Sequence, residues 1–100
     1  MALLNSAKEK VDFKYSGTKM FLVPIMRSGS TYRACVFLPM DASNYTSITC
    51  GEFRPGGQTS VTENNPTLDI RQNEVVVITS KSSFNSYVGA EAVVNLTFTV

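Results

Sequence analysis

The stretch Ala92-Val93-Val94-Asn95-Leu96-Thr97-Phe98-Thr99-Val100 sets Val94, Leu96, Phe98 and Val100 in alternation with Asn95, Thr97 and Thr99. Successive side chains of a strand point to opposite faces, so this reads as a strand with one apolar face and one face of hydroxyls and amides. Ending in this pattern, without a polar tail, it is expected to be paired into a sheet.

Working outward, Val75-Val76-Val77-Ile78 within Glu74–Ser80 is a β-branched run that fits a strand covered on both faces. Tyr32, Ala34, Val36 and Leu38 alternate with Arg33, Cys35 and Phe37, and Val11, Phe13 and Tyr15 alternate with Asp12 and Lys14. Between them Met20-Phe21-Leu22-Val23-Pro24-Ile25-Met26 is apolar on both faces. It is either a central strand or an edge strand whose outer face meets another subunit. Pro24 favours the edge, because it cannot donate to a ladder and is confined to edges and bulges. Turns at Ser16–Lys19 and Arg27–Thr31 would join these three strands as an antiparallel meander.

Arg54-Pro55-Gly56-Gly57 is the strongest breaker in the chain. Tyr45–Phe53, Thr59–Val61 and Leu68–Ile70 read as further short strands, and Ser80–Ser86 as a polar loop. Seven or eight short strands predict an all-β fold, a small antiparallel β-sandwich or jelly-roll-like domain over residues 11–100, with residues 1–10 as an N-terminal arm.

Composition agrees with this. Hydrophobic residues make up 43%, enough for a packed core, while charged residues are only 17%, against the ~25% of an average domain. Ser and Thr fill the polar share with 21 residues. Such a surface has little charge to keep copies apart. The net charge of +1 is unevenly spread, +4 over residues 1–40 and −3 over residues 41–100. A basic side and an acidic side would favour head-to-tail self-association, or a polyanion on one side; a fold that interleaves the two halves would erase the asymmetry.

The chemical motifs are mostly absences. With no His, the chain lacks the commonest general base, metal ligand and partner of a nucleophilic Ser or Cys. Two Cys give no four-ligand zinc set. Asp69 with Glu74, or Asp41 with Glu52, could pair as catalytic carboxylates only in a cleft that so small a sandwich rarely encloses. The plainer reading is solvated turn charges. Arg27-Ser28-Gly29-Ser30-Thr31 lacks the spacing and Lys of a nucleotide loop, and Asp41-Ala42-Ser43-Asn44 offers a cation only one carboxylate. No enzyme activity, cofactor or metal is expected. Asn44-Tyr45-Thr46 and Asn95-Leu96-Thr97 match the glycosylation pattern at the rate expected by chance from seven Asn.

Met1–Asn5 is too short an apolar run for a secretory signal, and no stretch approaches the ~20 residues of a membrane span. The expected location is a virion or the cytoplasm. Cys35 and Cys50 are then expected as thiols in a reducing compartment.

Three functions from different classes fit. The first is a non-enzymatic structural protein acting by self-assembly, in concrete form a coat, decoration or tail subunit of a virus or phage particle. Its expected subunit contacts are Leu3, Leu4, Phe21, Val23 and Ile25. The second is a carbohydrate-binding, lectin-like module using Tyr45 and Tyr87, although no Trp is present to stack on a sugar. The third is a single-stranded nucleic-acid-binding barrel, with Lys14, Lys19, Arg27 and Arg33 as anion contacts among aromatics. Against it, the net charge is near zero, and Phe13 and Tyr15 lie on the face opposite Lys14.

Overall fold

The computed structural model describes residues 16–100. Seven strands form there: β1 (Gly17–Pro24), β2 (Met26–Ser28), β3 (Thr31–Phe37), β4 (Ser47–Pro55), β5 (Thr67–Ile70), β6 (Glu74–Thr79) and β7 (Glu91–Thr99). They build two antiparallel sheets, of order β1-β7-β4 and β2-β3-β6-β5. The fold is a small all-β sandwich. Its two sheets are ordered like the ABED and CFG sheets of an immunoglobulin-type sandwich, with β1 filling the place of strand G from the N-terminal side. That order by itself says nothing of function.

β7 is the axis of the first sheet, flanked by β1 and β4. Its inward residues Ala92, Val94, Leu96 and Phe98 are buried as the alternation requires. Opposite them lie Tyr32, Ala34 and Val36 of β3 and Val75 and Val77 of β6, and the same core includes Ile25, Phe53 and Phe84. Phe84 packs its ring on Phe53 at 4.8 Å, and Tyr45 on Phe98 at 4.9 Å. Val76 points away from this core yet is 3% exposed, because Cys35 and Asp69 on the neighbouring strands flank it. A β-branched run covered on both faces is thus what forms.

Four local expectations are corrected. Gly17–Lys19 is not a turn: these residues already pair with Phe98–Leu96, and the Thr18 and Thr97 hydroxyls hydrogen-bond across the ladder at 2.9 Å. Met20–Met26 is not one strand in a meander, because the chain leaves the first sheet at Pro24 and enters the second at Met26. Ile25 at this corner is fixed by two backbone bonds, donating to the Ala90 carbonyl at 2.9 Å and accepting from Gly89 N–H at 2.8 Å. Thr59–Val61 forms no strand; only Glu63 bridges to Phe53. Ser82–Tyr87 is a 3-10 helix that plants Phe84 in the core, where a polar loop was expected. The expected strand Val11–Tyr15 and the arm 1–10 lie outside the described residues.

The β2–β3 hairpin closes as read from sequence. Gly29 has φ +62 and Ser30 does not share the positive φ, so the two-residue loop has the II′ form that suits strand twist. No helix among the described residues is long and apolar enough to cross a membrane.

Candidate assembly surface

The strand pair β1–β2 carries the feature with most functional content. Along it, Phe21, Val23 and Ile25 face inward while Met20, Leu22, Pro24 and Met26 face out, and this alternation runs unbroken through the corner at Ile25. Met20 is 56%, Leu22 51% and Met26 55% exposed. At about 6.6 Å per two residues, Met20, Leu22 and Pro24 form an apolar strip roughly 13 Å long on the outer face of the first sheet, and Met26 stands exposed on β2 of the second. β1 is an edge strand, as the proline implied.

Register shows what flanks these side chains. Met20 lies beside Asn95, Leu22 beside Val93, Pro24 beside Glu91, and Met26 beside Arg33. Asn95 Nδ2 donates to Glu52 Oε1 at 2.7 Å, and Arg54 Nε donates to Glu52 Oε2 at 2.8 Å. An apolar strip bordered by a fixed polar network has the layout of a protein contact, with a dry centre and a wet rim.

This geometry corrects the expected contact residues. Ile25 is 1% exposed and belongs to the core, and Phe21 and Val23 pack half-buried against it. They pair with Val94 and Ala92, whose side chains point into the sandwich, so they must point inward too. The exposed set is the complementary one. Leu3 and Leu4 lie outside the described residues. The signal for the even-numbered set was present, since both faces of Met20–Met26 are apolar, but nothing local says which parity meets β3 and β6.

The anion contacts do not converge. Lys14 lies outside the described residues, Lys19 is on β1, and Arg27 and Arg33 sit on opposite faces of the hairpin because their partners are Tyr32 and Met26. Arg27 bonds to the Gly29 carbonyl and to Asn85 Oδ1, and Arg33 to Thr31 Oγ1. Tyr45 is buried with its ring against Phe98, which removes it as a platform for a sugar; Tyr87 is half-buried.

Other polar clusters serve the fold. The Asp41 carboxylate accepts from Ser43 N–H and from Gln72 Nε2, capping a 3-10 turn, and these bonds hold its pKa below the usual carboxylate value. Arg71 spans Asp69 and Glu74 on the surface. Cys35 and Cys50 are both free thiols. Burial is the first cause that pushes each upward; Glu74 adds to it at Cys35, while at Cys50 the hydrogen bond to the Glu52 carbonyl opposes it without reversing it, and the net direction is the reverse of an activated thiolate. Among the described residues no group of three or more His, Cys, Asp or Glu is placed to hold a metal ion. Comparison with protein-family models, with curated proteins and with solved structures found no match.

Proposed function

We propose that this protein is a non-enzymatic structural subunit that works by assembling with copies of itself. The observation that carries the reading is the exposed apolar strip Met20-Leu22-Pro24 on the edge strand β1, with Met26 exposed just beyond it on the edge strand β2. Monomeric proteins blunt such edges with charge, bulges or cover, because an uncovered apolar strand templates pairing. Leu22 is 51% exposed, so burying the remainder against a second copy would contribute about 1 kcal/mol before association costs. The low charge content removes a further barrier to self-contact. In concrete form the protein is a coat, decoration or tail subunit of a virus or phage particle, where a small sandwich is used many times over.

The test is the mass in solution by light scattering over a concentration series. Wild type is expected to grow from monomer to oligomer by high micromolar concentration. Met20→Asp with Leu22→Asp is expected to remain monomeric with an unchanged far-UV spectrum. A wild-type protein that stays monomeric and is indifferent to the double change refutes the proposal. Retention on a sugar array by such a monomer, or affinity for single-stranded nucleic acid falling steeply with salt, would favour one of the two binding alternatives instead.

A further inference from the structure

The bonds at the two ends of β7 fix which neighbour each of its residues serves. Gly56 N–H, just past β4, donates to the Glu91 carbonyl at 2.8 Å, and Thr46 N–H, just before β4, donates to the Thr99 carbonyl at 2.6 Å. The odd-numbered residues of β7 therefore turn their backbone polar groups to β4. Successive residues of an antiparallel ladder bond to opposite sides, so Ala92, Val94, Leu96 and Phe98 serve β1. Their partners are Val23, Phe21, Lys19 and Gly17. Ile25 N–H, donating to the Ala90 carbonyl at 2.9 Å, continues the same phase.

Thr18, Met20, Leu22 and Pro24 consequently direct their backbone groups away from the sheet. Pro24 fits that phase, because its missing N–H falls on the side where β7 offers no carbonyl. All four residues are exposed, while Phe21, Val23 and Ile25 pack inward on the core. Among the described residues, the N–H and C=O groups of Thr18, Met20 and Leu22 have no backbone partner on that side. Unpaired donors and acceptors set between apolar side chains are a template for another strand.

A second β1 suits this edge. About a two-fold axis perpendicular to the sheet the two edges run antiparallel, and bonding requires their outward-directed, even-numbered residues to face each other. Centred on Lys19, the pair sets two ammonium groups opposite each other, which is destabilising. Centred on Met20, it sets Leu22 against the Thr18 hydroxyl. Centred on Leu22, it sets Met20 against Pro24, which returns one bond where two are possible, and carries Thr18 past the corner at Ile25. Centred on Phe21, it sets Met20 against Leu22 twice, apolar on apolar, and Thr18 against Pro24. Thr18 N–H then meets the Pro24 carbonyl, the one backbone group a proline can offer, and the Thr18 hydroxyl is already bonded to that of Thr97. Lys19 lies opposite Val23, away from its own copy.

We propose that β1 pairs with β1 of a second copy as antiparallel edge strands about a two-fold axis at Phe21, joining the β1-β7-β4 sheets of both copies into one continuous sheet. The inference rests on the self-assembly reading and names the contact by which two copies meet. Strand addition draws its affinity from main-chain bonds and its specificity from the side chains between them. One strand is far less than the ~20–30 residues per side of a standard interface, so the pair is expected only at high micromolar concentration or within a larger assembly.

The experiment uses the full chain with Cys35→Ser and Cys50→Ser, carrying either Met20→Cys or Leu22→Cys. In the proposed register positions 20 and 22 of different copies are directly opposed, with Cα atoms about 5.5 Å apart, inside the ~4.4–6.8 Å that a disulfide spans. Like positions lie on the diagonal, at about 7–8 Å. After mild oxidation at about pH 8.5, near the pKa of a free thiol, an equimolar mixture of the two variants is expected to give a covalent dimer on denaturing gels without reductant. Either variant alone is expected to give several-fold less. Wild type supplies a second readout: with rising concentration the Thr18, Met20 and Leu22 amides gain exchange protection, while those of Lys19, Phe21 and Val23, already bonded to β7, change little. Linkage by one variant alone as strong as by the mixture, or no link and no gain at those three amides in samples that scattering shows to be assembled, overturns this pairing and leaves self-assembly standing. No link in a protein that scatters as a monomer at every concentration, as when the edge is covered within one chain, overturns both.

Discussion

The two edges of the β1-β7-β4 sheet are built oppositely. At β4 the ladder is broken by a bulge at Gly51, charge is set on the rim by Glu52 and Arg54, and the strand is capped from outside by the Phe53–Glu63 bridge. The Glu63 carboxylate holds this cap, accepting from the Thr79 hydroxyl at 2.8 Å and from Asn65 N–H at 3.1 Å. At β1 the register is unbroken over eight residues and the outward side chains are Thr18 followed by the apolar Met20, Leu22 and Pro24. The β4 edge is protected by a bulge, charge and an outside cap, whereas the β1 edge has only Lys19 and Pro24 as devices of that kind, beside an apolar strip. Both flank the same central strand, so the difference is one of edge construction alone, and on the self-assembly proposal β1 is the side that a second copy meets.

Changes that strike where the edges meet the core should have the largest effects. Ile25→Asp would bury an unpaired charge at the corner between the sheets, and no cooperative unfolding transition is expected in thermal or urea melts. Phe53→Ala, which empties a fully buried site beside Phe84 at the closed edge, is expected to cost about 3–5 kcal/mol by urea denaturation. Glu63→Ala should cost roughly 1–2 kcal/mol, since it strands the Thr79 hydroxyl and releases the cap.

The cap also sets a pH dependence. The Thr79 hydroxyl first, and Asn65 N–H second, hold the Glu63 pKa below its ordinary value. A carboxyl depressed in the folded state contributes stability that is fully present above the unfolded value of about 4.3 and is lost as pH falls through the folded one. Melting curves of wild type should therefore converge with those of Glu63→Gln as pH falls from 7 to about 3. The smallest effect on folding belongs to the open edge. Leu22→Asp is expected to lower the unfolding free energy from urea denaturation by no more than about 0.5–1 kcal/mol, and, on the self-assembly proposal, to remove self-association.

Much of the sandwich was legible because its central strands obey period-two rules with few exceptions. The inward residues of β7 and the doubly covered Val75–Val77 follow from the pattern alone. The corner at Ile25 did not, since two sheets can share one apolar run without any local mark except Pro24. Phe84 was hidden for another reason: its neighbours Ser82, Ser83, Asn85 and Ser86 are polar, and a single anchor has no periodicity to detect. The candidate surface was half legible. The run Met20–Met26 stood out, but its exposed parity depends on β3 and β6 lying across the sandwich, a relation between distant segments that β1 does not encode.

Amide hydrogen exchange followed over a concentration series tests the contrast between the edges most directly. If β1 meets other copies, amides within Gly17–Val23 will gain protection as concentration rises, while those of β4 and Glu63 stay constant. Protection at β1 that is the same from low to high micromolar concentration would contradict the account.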